Sequence, residues 1–180
     1  MSPAVDHFAP FTGFYADAKA VPPATVVIDG GLMPEPYRSL LVNHGDMTPT
    51  LERFHHCHLH LKVLGRVHAG NDYRRQVVLL DPQNRPVEFG AIRIHLDVLP
   101  PAVQQLVLAG QRPLGGVLIE HDVPHRSNPS AYFQVTGDKL INRALGVTKP
   151  CALYGRCNTL TAADGRVIAE VVEILPPHRV

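Results

Sequence analysis

The sequence predicts an α+β protein built on a mainly antiparallel sheet of about six strands, with helices over one face. Two observations lead there. From residue 59 onward the apolar residues recur mostly with a period of two, the signature of strands. The strand-like runs are joined by turns too short for repeated parallel crossovers, which leaves antiparallel pairing.

Taken in order, residues 1–30 are rich in Pro and Gly and predict an extended lead-in to a single domain over residues 31–180. The run "PEPYRSLLV" predicts a short helix, because proline suits a first helical turn. After the loop "NHGD", Thr48 and Pro49 look like an N-cap and first position of a second helix, "TLERFHH", with Leu51 and Phe54 turned inward. "HLHLKVL" switches to period two, with Leu59, Leu61 and Val63 on one face. "YRRQVVLLD" and "VEFGAIRIHLDVL" flank "DPQNRP", a turn rich in Pro and Asn that predicts a hairpin. In the second of these, Ile92, Ile94, Leu96 and Val98 share one side. "PPAVQQLVLAG" predicts a helix stopped by Gly110. "GGVLIEH", "AYFQVTG", "CALYGRCNTLTA" and "GRVIAEVVEIL" predict four more strands. "DKLINRALG", capped by Asp138, predicts a helix between the second and third of them, and "TAADGR" a hairpin turn before the last.

Composition narrows the function classes. A chain of 180 residues with 45% hydrophobic and 18% charged residues supports one folded core. No apolar run approaches the roughly 18–20 residues that span a bilayer. A net charge of +1 argues against a nucleic-acid or membrane footprint. Cys57, Cys151 and Cys157 are an odd count without a framework, which predicts free thiols; with no secretory signal, a cytoplasmic address follows.

Several chemistries find little support. "HHCHLH" offers His58 and His60 on one strand face, near His55 and Cys57, but matches no metal-site spacing, so no metal is expected. There is no G-x-S-x-G elbow, and neither Gly-Gly pair has P-loop spacing, so no nucleotide cofactor is implied. The remaining candidates are individually weak. Arg75 shares its strand face with Val77 and Leu79 and either points into an apolar enclosure, needing a carboxylate, or lies at a sheet edge. Pro113 to Gly116 makes either an anion-binding turn or an ordinary one. Glu170 and Glu173 lie three apart in the last apolar run, so without a bulge they face opposite sides, and one of them faces whatever the sheet covers.

The order of "LLVNHGDMTPTLERF", "YRRQVVLL", "QRPLGGVLI", "LYGR" and "EVVEILPP" resembles the successive signatures of the chorismate pyruvate-lyase (4-hydroxybenzoate synthase) family, over about residues 37–177. The resemblance implies a six-stranded antiparallel sheet with a ligand cavity under helical flaps. It implies a carbon-oxygen lyase that converts chorismate to 4-hydroxybenzoate and pyruvate, with no metal and no cofactor, for quinone or aryl-pigment synthesis. It assigns a carboxylate-binding backbone to Met47, the ion pair with that carboxylate to Arg75, and a further backbone N–H to Leu114. The family's strand glutamate falls, counted without gaps from Gly165, on Val172. A one-residue bulge would bring Glu173 there; Glu170 shares the face of Val172 but lies one pleat away, about 6–7 Å. Glu173 is the favoured carboxylate. The expected partner is a small aromatic or cyclohexadiene carboxylate, bound by a monomer or small homo-oligomer. The same fold also serves as the effector-binding domain of GntR-type repressors, so a non-catalytic aromatic-acid binder is the alternative, although no helix-turn-helix segment precedes the domain.

Overall fold

The computed structural model describes residues 8–178, so residues 1–7 of the expected lead-in lie outside it. The described part of that lead-in is not extended. It holds helix α1 (Ala9–Asp17) and strand β1 (Thr25–Ile28). Phe11 and Tyr15, one helical turn apart, bury one stripe of α1 against the sheet.

The other elements are α2 (Tyr37–Leu41), α3 (Met47–His55), β2 (His60–Ala69), β3 (Asp72–Leu80), β4 (Pro86–His95), α4 (Pro101–Ala109), α5 (Leu114–Glu120), β5 (His125–Thr136), α6 (Lys139–Leu145), β6 (Ala152–Ala162) and β7 (Val167–Leu175). The strands form one seven-stranded sheet in the order β1-β5-β6-β7-β4-β3-β2, every pair antiparallel. Short hairpins join β3 to β4 and β6 to β7, as the turn residues predict, and a further hairpin joins β2 to β3. The seventh strand, β1, is a four-residue edge strand with Val26 and Val27 exposed.

Asp138 caps α6 by accepting from the Ile141 N–H at 2.9 Å, and Gly110 closes α4 in the left-handed conformation that glycine adopts without strain. Three local expectations are corrected. The run "GGVLIEH" belongs to α5, not to a strand: Pro113 sets its start, and Leu114, Val117 and Leu118 bury one helical stripe. The cap of α3 is Asp46 rather than Thr48. Leu51 is buried, but Phe54 remains partly exposed against the rings of His55 and His178.

Helices cover both faces of the sheet. On one face, α1 and α6 close an apolar core around Phe89, Phe133, Leu153 and Ile174. On the other, α4 and α5 pack over Ile92, Ile94 and Leu160, while α2 and α3 pack over Leu79 and Leu175. Among the described residues no helix is long and apolar enough to cross a membrane.

Candidate functional site

A cavity lies between the second face and the starts of α3 and α5. Its volume is about 70 Å³. Strands β3, β4, β6 and β7 form its floor with Val77, Ile92, Leu160 and Val171. Four of the five residues singled out from the sequence line it: Met47 at the start of α3, Arg75 on β3, Leu114 at the start of α5, and Glu173 on β7.

The fifth, Glu170, is outside. It lies on the opposite face, where its carboxylate meets His95 Nε2 at 2.9 Å, and both side chains are part-exposed. Alternation explains the split, since the register from Glu170 to Glu173 runs unbroken against β4. The bulge occurs earlier. Leu160 pairs with Ala169 and Thr161 with Val167, so Ile168 is the extra residue between Gly165 and Glu173.

Arg75 is 1% exposed, and among the described residues no carboxylate pairs with it. Its Nη2 donates to the Arg112 carbonyl at 3.3 Å, while Nε and Nη1 make no hydrogen bond. Burial pulls its pKa below the ordinary arginine value, the sign expected of a cation removed from water. The N–H groups of Met47 and Leu114 open their helices, where the first turn leaves donors without an intrahelical acceptor.

At the other end sits a charged cluster that includes residues not anticipated from the sequence. Arg156 on β6 is fully buried; its Nε donates to Glu173, and its two terminal nitrogens donate to the carbonyls of Asn43 and Gly45 at 3.0 Å and of Leu41 at 3.3 Å. One guanidinium thereby neutralises Glu173 and ties the loop before α3 to the sheet. A second latch joins Asp46 to His125 Nε2 at 2.8 Å, and this bond holds His125 above the ordinary imidazole range despite partial burial. Among the described residues, Glu88 on β4 has no ion-pair partner. Burial, then the nearby charge of Glu173, push its pKa well above 4.5 against the opposing pull of Arg156, a net shift that favours its protonated form. Glu88 was legible in principle: counting back by twos from Ile94 and Ile92 through Gly90 reaches it on the same face.

Among the described residues no group of three His, Cys, Asp or Glu side chains is arranged to hold a metal ion. His58 is fully exposed beside Glu52, and His60 meets Asn84 Oδ1.

No protein-family model and no curated protein matches the chain. Solved structures do. PhnF from Mycobacterium smegmatis is 10% identical with a TM-score of 0.58, over 76% of this chain and 65% of that one. The effector domain of PhnF is 10% identical with a TM-score of 0.58, over 77% and 93%. The ligand-binding domain of a GntR-family transcriptional regulator from Bordetella bronchiseptica is 14% identical with a TM-score of 0.51, over 68% and 92%. The chain thus spans just under two thirds of the longer PhnF chain. At these identities the likeness is one of fold: the α+β, antiparallel, chorismate lyase-like fold that the C-terminal domains of GntR-family regulators share.

These comparisons correct the expectation of a carbon-oxygen lyase, and with it chorismate turnover and a place in quinone synthesis. The neighbours that share the fold are regulator effector and ligand-binding domains. The physical reason is visible in the motifs that suggested a lyase. In "LYGR", a Cβ on Gly155 would collide with the Glu173 carbonyl and the Phe133 ring, and Arg156 clamps a loop. "PLGG" starts α5, and "EVVEIL" is a buried strand. Such motifs build the cavity, whether its ligand is transformed or only held.

Proposed function

We propose that the chain is a non-catalytic binding domain for a compact organic acid, held with its acid group on Arg75 and the N–H groups of Met47 and Leu114. The observation that carries this reading is the burial of Arg75 without a counter-charge. An unpaired buried guanidinium destabilises the empty protein, and an acid group arriving in the cavity satisfies the donors that the fold leaves unmet. Arginine suits the task because its planar fork meets a carboxylate through two parallel bonds, which orients the ligand as well as attracting it. The likeness to effector and ligand-binding domains supports the same reading.

Calorimetric titration with 4-hydroxybenzoate tests it. The wild-type protein is expected to bind the acid, and Arg75→Ala to weaken binding at least about 100-fold, the loss of two charge-assisted bonds. Chorismate is expected to release no pyruvate. Undiminished binding by Arg75→Ala would refute the assignment of the acid-binding end, and pyruvate release would refute the non-catalytic reading.

A further inference from the structure

The start of α3 carries an N-cap carboxylate that does not cap. Asp46 occupies the N-cap position, where an aspartate ordinarily accepts from an N–H of the first turn, yet its side chain makes no such bond. It turns instead to His125 at the start of β5. There Asp46 Oδ2 meets Nε2 at 2.8 Å, while the other ring nitrogen, Nδ1, meets the Val123 carbonyl at 2.9 Å. A carbonyl and a carboxylate only accept, so both ring nitrogens donate, and a ring that donates twice is an imidazolium. The pair is nearly enclosed, with side chains 10% and 13% exposed.

Asp46 also lines the cavity, together with Met47 and the buried Arg75 whose Nε and Nη1 are unmet. Pro49 has no N–H, and the Thr50 N–H donates to the Asp46 carbonyl at 3.3 Å. Among the described residues, the first-turn donors of α3 left without an acceptor are therefore those of Met47 and Thr48. They attract two anions: an incoming acid group, and the carboxylate of Asp46 itself.

We propose that His125 is a positioning residue that draws Asp46 away from the start of α3 and so keeps the acid-binding end of the cavity open. The inference rests on the acid-binding end assigned above to Arg75 and Met47. Released by His125, Asp46 is free to accept from the Thr48 N–H, the bond that an N-cap aspartate makes. Its charge, no longer neutralised, then opposes an acid in the same cavity. On the α5 side Gly115 presents no side chain to Asp46; a Cβ there would stand 3.4 Å from the Asp46 Cβ.

The hydrogen bond to Asp46 raises the pKa of His125 above the ordinary 6.5, against partial burial. The pair is thus fully formed below that value and is lost as pH rises through the raised pKa. The other charged and titratable groups around it are engaged elsewhere or exposed. His44, in the loop before α3, meets the Ser127 carbonyl at 3.3 Å, and Arg156 beneath that loop is held by Glu173 and the Gly45 carbonyl. At the end of α5, Glu120 is engaged by Arg112, and His121 and Asp122 are exposed, as is Arg126 on β5. On β6, the residue paired with His125 is Ala162.

The test is calorimetric titration of 4-hydroxybenzoate between about pH 6 and 9, the span over which a raised imidazole changes charge. It uses the wild type, His125→Ala, Asp46→Ala, the double variant and Arg75→Ala, with thermal unfolding to verify that each is folded. Wild-type affinity should fall about fivefold to tenfold across the span, the scale of one competing cap bond. His125→Ala should bind weakly throughout, as the wild type does at the high end. Asp46→Ala has no carboxylate to compete, so it should bind at every pH at least as tightly as the wild type does at low pH, and the double variant should follow it. If His125 merely tied the loop down, Asp46→Ala would weaken binding as His125→Ala does, and the double variant would not recover. That result, a constant wild-type affinity, or a pH dependence that persists in Asp46→Ala would overturn the role of His125 while leaving Arg75 in place. If the wild type does not bind the acid at any pH, or Arg75→Ala binds it as the wild type does, the acid-binding end fails and this inference fails with it.

Discussion

On the face under α1 and α6, strands β4, β6 and β7 contribute Phe89, Ala91, Cys157, Val172 and Ile174. On the face under α3 and α5, alternate residues of the same strands are Glu88, Gly90, Arg156, Asn158 and Glu173. Both sets are buried. A fully buried large apolar side chain contributes roughly 1.5–3 kcal/mol to folding, whereas a buried polar group costs stability unless every bond it can make is made. The first face is therefore purely core. The second buries apolar clusters of its own under α2 to α5, but between them it carries donors and acceptors that the empty fold leaves unmet, and those describe a ligand.

Within the second face a further distinction applies, and the variants that separate its parts differ in size. The largest effect is expected at Arg156, which is part of the scaffold despite its charge. Arg156→Ala strands Glu173 and releases three loop carbonyls, so it should cost about 3–5 kcal/mol in denaturant unfolding, as much as Phe133→Ala on the apolar face. A loss near zero would mean that the clamp is dispensable and that the two faces differ less than their composition suggests.

A smaller effect, read through pH, is expected at Glu88. Its folded pKa lies well above its ordinary value of 4.5, so at intermediate pH the folded state holds a proton that the unfolded state has released. The contribution of Glu88 to stability is then fullest below about 4.5 and falls as pH rises toward the folded pKa. Glu88→Gln, which stays neutral, should match the wild type near pH 4 and exceed it increasingly at higher pH. Parallel stability profiles for the two proteins would show that Glu88 ionises freely in the fold.

Much of this contrast is written in the order of residues. Period two in β3 placed Arg75 on the face of Val77 and Leu79, and the three-residue spacing of Glu170 and Glu173 meant that only one of them faces the cavity. Which one could not be read from spacing, because it depends on how β7 pairs with both neighbours. Arg156 was hidden for a different reason: its partners are carbonyls of residues 41–45, more than a hundred positions away, and carbonyls leave no mark in a sequence. Glu88 shares the face of Ile92 and Ile94 by period two, but a lone glutamate in a hairpin strand carries no mark of burial in the sequence. Short segments misled most. α5 is a seven-residue run whose apolar residues fit strand or helix until Pro113 is weighed, and β1 is four residues whose pairing with β5 is entirely tertiary. In α1, Phe11 and Tyr15 carried a helical signal that the surrounding Gly and Pro obscured.

The account turns on Arg75 serving a ligand rather than the fold, and thermal unfolding of Arg75→Met with and without 4-hydroxybenzoate tests that most directly. Without the acid, the variant should melt at or above the wild-type temperature, because methionine fills the space and removes an unpaired buried charge. With the acid, only the wild type should gain stability. A variant that melts well below the wild type, with no response to the acid in either protein, would mean that the guanidinium is a structural group, and the binding site proposed around it would be lost.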